Sequence, residues 1–511
     1  MGLSSIISIG YLLFIILFIC FIRPSNRWHS LLISEIQTVH KLIVLVTILI
    51  TIIACTLPMS LSPYWNGTWK DRPDMQQYGR LADALLEGHL YIDKGDIDPA
   101  LEAMENPYDT EAREKLGVKY NWDEVYYNKH YYTYFGIVPT IILFIPYKLS
   151  TGSMLLSYQA TQIFAALSII GSFYLFYILC SQFFPATPFS MYLLLSVALS
   201  ILSIGYSIAQ PALYCTAIVS AICLMFWSMI FFIKGAWIKQ HASKSKWYLL
   251  CGGFLGAMAF GCRPPVALAN LVIVAVFFRI KDNENLDSKE KIKELVYLLL
   301  PYLLITPCLM LYNFIRFDNL FEFGISYQLT VEDQHMYQNF SERFDIKRLF
   351  LGFLALLFSC SHLKDFPYVM FCGTFVNFPI LLLILHIFSK RVSMLLKKKR
   401  IYLFVALLFL SPFVIAINDV FWTPFPIPRY QLDFCYLLCI LTFLSSVALL
   451  EYLTKNKKKV MLLILVALSF LTVFTQFLLF CIPDDNSFTM IYPEILEQIQ
   501  KGLFFGLKFD L

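Results

Sequence analysis

Charge is scarce in this chain. Asp, Glu, Lys and Arg together make up 15% of the 511 residues, against about 25% in an ordinary soluble domain. With 58% apolar residues beside so little charge, a water-soluble fold is excluded, because a single core stops growing at about 250–300 residues and cannot hide that much apolar surface. A paired-cysteine framework is missing too. The 13 cysteines are scattered, mostly in apolar runs (Cys20, Cys55, Cys180, Cys223, Cys439), and no CxxC pair occurs. They read as small buried hydrophobes, neither disulfides nor metal ligands. The first apolar run, Ile6 to Ile22, lacks the basic start and small-residue cleavage pattern of a secretory signal, so it is expected to stay as an anchor. The formal net charge is only +5. That offers no basic field for nucleic acid, and the informative quantity is where the charges lie.

What is abundant is apolar sequence, with a mean hydropathy of +0.66. The solvent it fits is lipid, where about 20 consecutive apolar residues span the hydrocarbon. Runs over 5–22, 41–60, 155–182, 188–208, 210–233, 247–262, 265–279, 295–315, 366–388, 401–418, 431–453 and 460–482 predict an all-α polytopic membrane protein of about 12 crossings. Basic connectors belong on the cytoplasmic side. They are 234–246 (Lys234, Lys239, Lys244, Lys246), 390–400 (Lys390, Arg391, Lys397, Lys398, Lys399, Arg400) and 455–459 (Lys455, Lys457, Lys458, Lys459). The loop 61–130 carries 8 Lys and Arg against 14 Asp and Glu, a net of −6, and belongs outside. Two further apolar stretches, 131–150 and 348–361, are then read as juxtamembrane or re-entrant helices on the outer face. The first contains Gly136, Pro139 and Pro146 and the second is short, which suits helices that do not cross. Both chain ends fall outside. The expected division is N-terminal transmembrane helices (1–60), an extracytoplasmic loop with juxtamembrane helices (61–154), a transmembrane bundle (155–315), a second extracytoplasmic loop (316–365), C-terminal transmembrane helices (366–482) and an extracytoplasmic tail (483–511).

The loop 61–130 is too long for a connector, since loops beyond about 12–15 residues are usually functional or disordered. Its helix signals argue for a folded cap. From Asp74 to Glu87, Met75, Tyr78, Leu81, Ala82, Leu85 and Leu86 follow a 3.6-residue period, with Pro73 in the first turn and Gly88 at the end. Asp98-Pro99 and Asp109-Thr110 read as two more helix starts. The run Tyr120-Asn-Trp-Asp-Glu-Val-Tyr-Tyr-Asn-Lys-His-Tyr-Tyr-Thr-Tyr134 is rich in amphipathic aromatics, as at a lipid–water interface.

Chemistry on a polar head group at a bilayer surface needs a carboxylate base and cations for phosphate. Asp71 and Asp74 lie just past the second span, at the depth where a carboxylate can take a proton from an acceptor hydroxyl as a bond to a sugar carbon forms. The plainer reading of Asp74 is an acid in a helix first turn, favoured by the dipole. Asp96-Ile-Asp98 matches the DxD pattern of metal-assisted sugar transfer, but Asp98 before Pro99 is better explained as an N-cap. Ionisable residues near membrane depth default to function. Arg263 stands between two short spans in Gly261-Cys-Arg-Pro-Pro265, where its plainer role is snorkelling to the interface. Arg429 and Asp433, in Pro428-Arg-Tyr-Gln-Leu-Asp433, read as a mutual i,i+4 pair or as an arginine oriented toward phosphate. Arg316, Glu322 and Tyr327 open the second outer loop on the same face, and aromatics such as Tyr78, Trp122 and Tyr214 could shape a sugar pocket or simply anchor the interface.

Taken together, the layout resembles the GT-C superfamily of membrane glycosyltransferases, which includes the aminoarabinose and protein-mannosyl transferases. It is most similar to a bacterial GT-C-like set. The stretches that carry the resemblance are Tyr78-Gly-Arg-Leu-Ala-Asp-Ala-Leu-Leu-Glu-Gly-His-Leu90, Asn106-Pro-Tyr-Asp109, and Tyr131-Tyr-Thr-Tyr-Phe-Gly-Ile-Val-Pro139 running into Leu143-Phe-Ile-Pro-Tyr147. Further on are Gly261-Cys-Arg-Pro264, Tyr312-Asn-Phe-Ile-Arg-Phe317, Phe321-Glu-Phe-Gly324 with Tyr327-Gln328, and Arg429-Tyr430 with Asp433. The resemblance implies a GT-C-like bundle with a helical extracytoplasmic cap and a catalytic centre on the outer face. It implies a polyprenyl-phosphate sugar as donor, a cell-envelope acceptor, and the bacterial inner membrane as location. The base implied by position is Asp74, or else Asp71, with Arg263 and Arg429 on the phosphate. Better-known members carry an Asp-Glu pair where this chain has Asp74-Met75, so the base and a divalent metal stay open. Two other classes compete: a transporter or flippase, and a non-catalytic assembly subunit for lipid-linked glycans. The first predicts charges at mid-membrane depth and inverted repeats, and the sequence has neither.

Overall fold

Apolar runs that cannot hydrogen-bond to lipid must satisfy their own backbone, and the helix does so within one segment. The computed structural model describes residues 2–23, 26–66, 73–93, 95, 97–211, 213–238, 244–330, 333, 344–422, 427–484 and 486–507, and is helical nearly throughout. Among the described residues nine helices are long and apolar enough to cross a membrane: Leu3–Ile22, Thr38–Ser60, Ser157–Phe183, Leu213–Ala236, Pro264–Lys281, Ser288–Phe317, Tyr402–Trp422, Pro428–Tyr452 and Lys455–Phe480. The chain is an integral multi-pass membrane protein.

Three of the expected spans take a different form. Phe189–Ser203 and Ser245–Phe260 are helices of 15 and 16 residues. The run expected over 366–388 is helical only from Thr374, and Pro379–Phe388 is a 3-10 segment bent by 73° into the basic helix Lys390–Lys398. A 3-10 helix rises about 2.0 Å per residue, so a short segment reaches further than an α-helix of equal length. The two stretches read as surface helices are short helices, over Thr140–Thr151 and Ile346–Phe358.

Pro428–Tyr452 is the central post, buried along its whole apolar window, and Leu213–Ala236 is nearly as enclosed. Leu3–Ile22 has no buried residue and turns large apolar side chains such as Leu13 and Leu17 outward. Small residues let the helices close up. A Cβ on Gly253 would stand 2.6 Å from the Leu298 carbonyl oxygen, which sets how closely Ser245–Phe260 meets Ser288–Phe317.

The first helix of the loop 61–130 forms where its periodicity predicts. A 3-10 turn, Pro73–Gln76, runs into the helix Gln77–Glu87, which Gly88 closes at φ 91°. Tyr78, Leu81 and Ala82 are buried on its inner face, whereas Leu86 is exposed. Asp98 and Asp109 cap the next two helices, each accepting a backbone N–H, from Ala100 and Ala112. The aromatic run departs from the all-helical expectation. Val125–Tyr127 and His130–Tyr132 pair as an antiparallel hairpin whose turn residues, Asn128 and Lys129, both have positive φ, the geometry of a two-residue hairpin turn. The second outer loop joins the hairpin's edge, with Gln328 bridging to Val125. The two long loops therefore pack against each other.

Candidate functional site

Arg263 follows a turn that the cap itself holds. The Val138 N–H donates to the Gly261 carbonyl at 2.8 Å, and any Cβ on Gly136 would collide with that carbonyl. Pro264 starts the next helical turn at once, so the arginine has little backbone freedom. Its guanidinium lies side-on to Asp433, Nε 3.2 Å from both carboxylate oxygens and Nη2 2.7 Å from one. The Asp433 side chain has no exposure and that of Arg263 only 12%.

This corrects the sequence reading of Arg429 with Asp433. Arg429 stands in the 3-10 turn Pro428–Tyr430, ahead of the α-helix that begins at Gln431. The i,i+4 alignment requires α-geometry between the two residues, and here it starts too late. Asp433 instead takes Arg263, and the Arg429 guanidinium lies 4.0 Å from the centre of the Tyr214 ring. Both arginines border one aromatic ring: Arg263 and Arg429 are 5.5 and 5.4 Å from the centroid of Tyr430. Among the described residues Arg429 forms no ion pair at 4.0 Å or less. Asp419, near the end of Tyr402–Trp422, is 3% exposed and within electrostatic reach of Asp433 and Arg263. One of its carboxyl oxygens has no hydrogen-bond partner among the described residues. The ends of four helices thus meet at one charged, aromatic-lined point.

Tyr134 lies within electrostatic reach of Arg263, Arg429, Tyr430 and Asp123, and burial raises its phenol above the usual range. Burial pushes the Asp123 carboxyl up to about 6, against the opposing pull of the Arg429 guanidinium. Sequence reasoning passed Asp123 over as part of an aromatic run. The signal was available: two adjacent acids, Asp123-Glu124, among interface aromatics.

The remaining residues singled out from the sequence sit elsewhere. Asp71 lies outside the described residues, as does Asp96. Asp74 stands in the 3-10 turn that opens the cap helix, and its side chain lies outside the described part. Tyr78 is fully buried, packed against Phe135 and Phe144, and serves the cap–bundle contact. Arg316 is buried and donates to the Thr133 carbonyl and the Asn313 side chain, both at 2.9 Å, tying the long helix to the hairpin. Glu322 accepts the Gly324 N–H at 2.6 Å, and Tyr327 packs on Tyr127 with centroids 4.6 Å apart. These three shape the cap joint. No group of three or more His, Cys, Asp or Glu among the described residues is placed to hold a metal ion.

Elsewhere on the bundle, an apolar groove of about 350 Å³ is lined by Leu143, Ile163, Leu167, Leu224, Trp227 and Leu255, among others. Leu143 also packs against the cluster of Tyr78, Phe135 and Leu213, which Tyr134 and Tyr214 border. Ile163 and Leu167 are 6 and 10 residues along the helix that starts at Ser157, which is about 9–15 Å of depth at 1.5 Å per residue. No protein-family model matches the chain, and no curated protein matches it.

Proposed function

We propose that this chain is a membrane glycosyltransferase of about 12 crossings. It moves a sugar from a polyprenyl-phosphate donor to a cell-envelope glycan, lipid or protein at the outer face of the bacterial inner membrane. The observation that carries this reading is the convergence of Arg263 and Arg429 on Tyr430, with the Asp433 carboxylate beside them. A planar, always charged guanidinium suits a phosphate oxygen pair. Arg429, without a carboxylate ion pair among the described residues, is the phosphate holder, and Arg263, committed to Asp433, fixes the floor of the site. Tyr214 and Tyr430 supply flat faces for a sugar ring. A carboxylate of the first outer loop, for which Asp74 and Asp71 are the candidates read from sequence, activates the acceptor hydroxyl. Among the described residues the charges of the spanning helices lie toward their ends, which supports surface chemistry over the flippase reading.

The test uses the full chain in lipid nanodiscs and a non-transferable prenyl phosphodiester as probe. Arg429→Ala is expected to weaken binding by about 10- to 100-fold, the range for one charged hydrogen-bonding group. If the wild-type chain retains no more probe than protein-free nanodiscs, the reading fails.

A further inference from the structure

Lys234, near the end of Leu213–Ala236, is held by two aromatic rings from neighbouring helices. Its Nζ lies 4.6 Å from the centroid of Tyr174, in Ser157–Phe183, and 5.6 Å from that of Tyr248, in Ser245–Phe260. The connector 234–246 contains no Asp or Glu. Among the described residues Lys234 forms no ion pair at 4.0 Å or less. A ring face attracts a cation without neutralising it, so the charge is left for an anion. The same two rings close one end of the apolar groove. Tyr174 packs against Trp227 with centroids 6.3 Å apart, and Tyr248 stacks on Phe231 at 6.1 Å. Trp227 and Phe231 both line the groove, so ring contacts join the cation to the groove wall by two routes. Gly235 lets the helices close here, since a Cβ on it would stand 2.9 Å from Leu249 Cγ.

The groove has the depth of one leaflet. It begins one turn from Lys234, at Phe231, and reaches Ile163, eleven residues along its helix from Tyr174. Eleven residues rise about 16 Å, close to half of the roughly 30 Å hydrocarbon core. Ile163 and Leu167 are exposed, so the groove opens sideways to lipid. Trp247, beside Tyr248 and exposed, marks the headgroup level at the Lys234 end.

We infer that this groove holds an acyl chain of an anionic phospholipid whose phosphate sits against Lys234. A basic pocket between spanning helices, on the side read as cytoplasmic, suits such head groups. The lysine selects for charge, and the groove's depth selects a leaflet-length chain over a longer prenyl chain. A lysine at a helix end also snorkels to the interface with no specific partner. Here the two-ring hold and the adjoining groove fix head and chain together. The bound lipid braces Ser157–Phe183, Leu213–Ala236 and Ser245–Phe260, which all contribute lining residues. It does so whatever chemistry occurs at Arg429.

The experiment places the full chain in phosphatidylcholine nanodiscs and reads quenching of tryptophan emission by phosphatidylglycerol brominated on its chains. The part of the quenching lost in Trp227→Phe reports the groove. Brominated phosphatidylglycerol should reach half-quenching at about 5-fold lower content than brominated phosphatidylcholine, the share of one lysine near a charged surface. Lys234→Gln should abolish that preference, and Lys234→Arg, which keeps the charge, should retain it. Lys246→Gln should leave it unchanged, because Lys246 is already paired with Glu290 at 2.8 Å. Equal quenching by the two lipids in wild type would reduce the groove to ordinary lipid contact and overturn the inference. A preference that survives Lys234→Gln, or that Lys246→Gln removes as fully, would overturn it too, by making the effect a general surface charge. Displacement of the brominated lipid by a prenyl phosphate more readily than by unlabelled phosphatidylglycerol would overturn the phospholipid as occupant.

Discussion

Replacing Asp433 by Asn removes the negative partner of Arg263 while keeping the shape of the side chain. The Asp433 carboxylate accepts three close contacts, at 2.7, 3.2 and 3.2 Å, and its side chain is wholly enclosed, with Arg263 at 12% exposure. Water cannot replace the lost partner, so the guanidinium is left as an uncompensated buried charge, which costs about 3–5 kcal/mol. Against a total stability of about 5–15 kcal/mol for a folded domain, that is a large fraction. Arg263→Met alone should cost a similar amount by stranding Asp433 beside Asp419, within electrostatic reach of it. The double variant Arg263→Met, Asp433→Leu removes both charges and should recover most of the loss, because a buried ion pair replaced by apolar residues is often neutral or stabilising. Unfolding of the bicelle-bound chain by increasing SDS reads these differences. A cost below about 1 kcal/mol for Asp433→Asn, the level of a solvent-exposed pair, would refute the enclosed geometry. A double variant as unstable as the singles would show that the charges do not act as a pair.

Glu124→Ala, which removes the carboxylate partner of the buried Arg80, should cost about 3–5 kcal/mol. It should appear as protease cleavage within 73–130 while the bundle stays intact. Gly253→Leu pushes a side chain into the Leu298 carbonyl and should cost at least about 1–3 kcal/mol by overpacking, measured by the same SDS titration. For Asp123, the folded carboxyl binds its proton more tightly, at about 6, than an unfolded Asp at about 3.9. Its contribution is therefore fully present at low pH and falls as pH rises from about 4 to about 6. Asp123→Asn should melt no lower than wild type at pH 7.5 and lose that slope, and a clear drop in melting temperature would contradict it. On orientation, Cys360 is an exposed thiol past the helix Ile346–Phe358. A membrane-impermeant maleimide should label it on intact spheroplasts but leave a Lys398→Cys thiol untouched, and the reverse pattern would invert the topology.

Local pattern carried much of the architecture. Apolar runs of helical length became helices because lipid leaves the backbone no other partner. Asp98, Asp109 and Gly88 ended or began cap helices as their side chains and conformational freedom dictate. Arg263, Arg429, Asp433 and Tyr214 were legible as charges and aromatics out of place at helix mouths. Who pairs with whom was not. Asp433 had Arg429 four residues away and chose Arg263, 170 residues away, because a 3-10 turn set Arg429 off the helical register. Asp123 drew no notice in the sequence, since its setting is made by Leu329, Gln77 and Gln328 from distant segments. Periodicity and capping are properties of a few neighbouring residues, so sequence alone determined most of the long helices, though not the 3-10 segment at Pro379–Phe388 or the hairpin at Val125–Tyr132. The charged site joins ends of separate helices and two loops, and only their packing decided which side chains would share it.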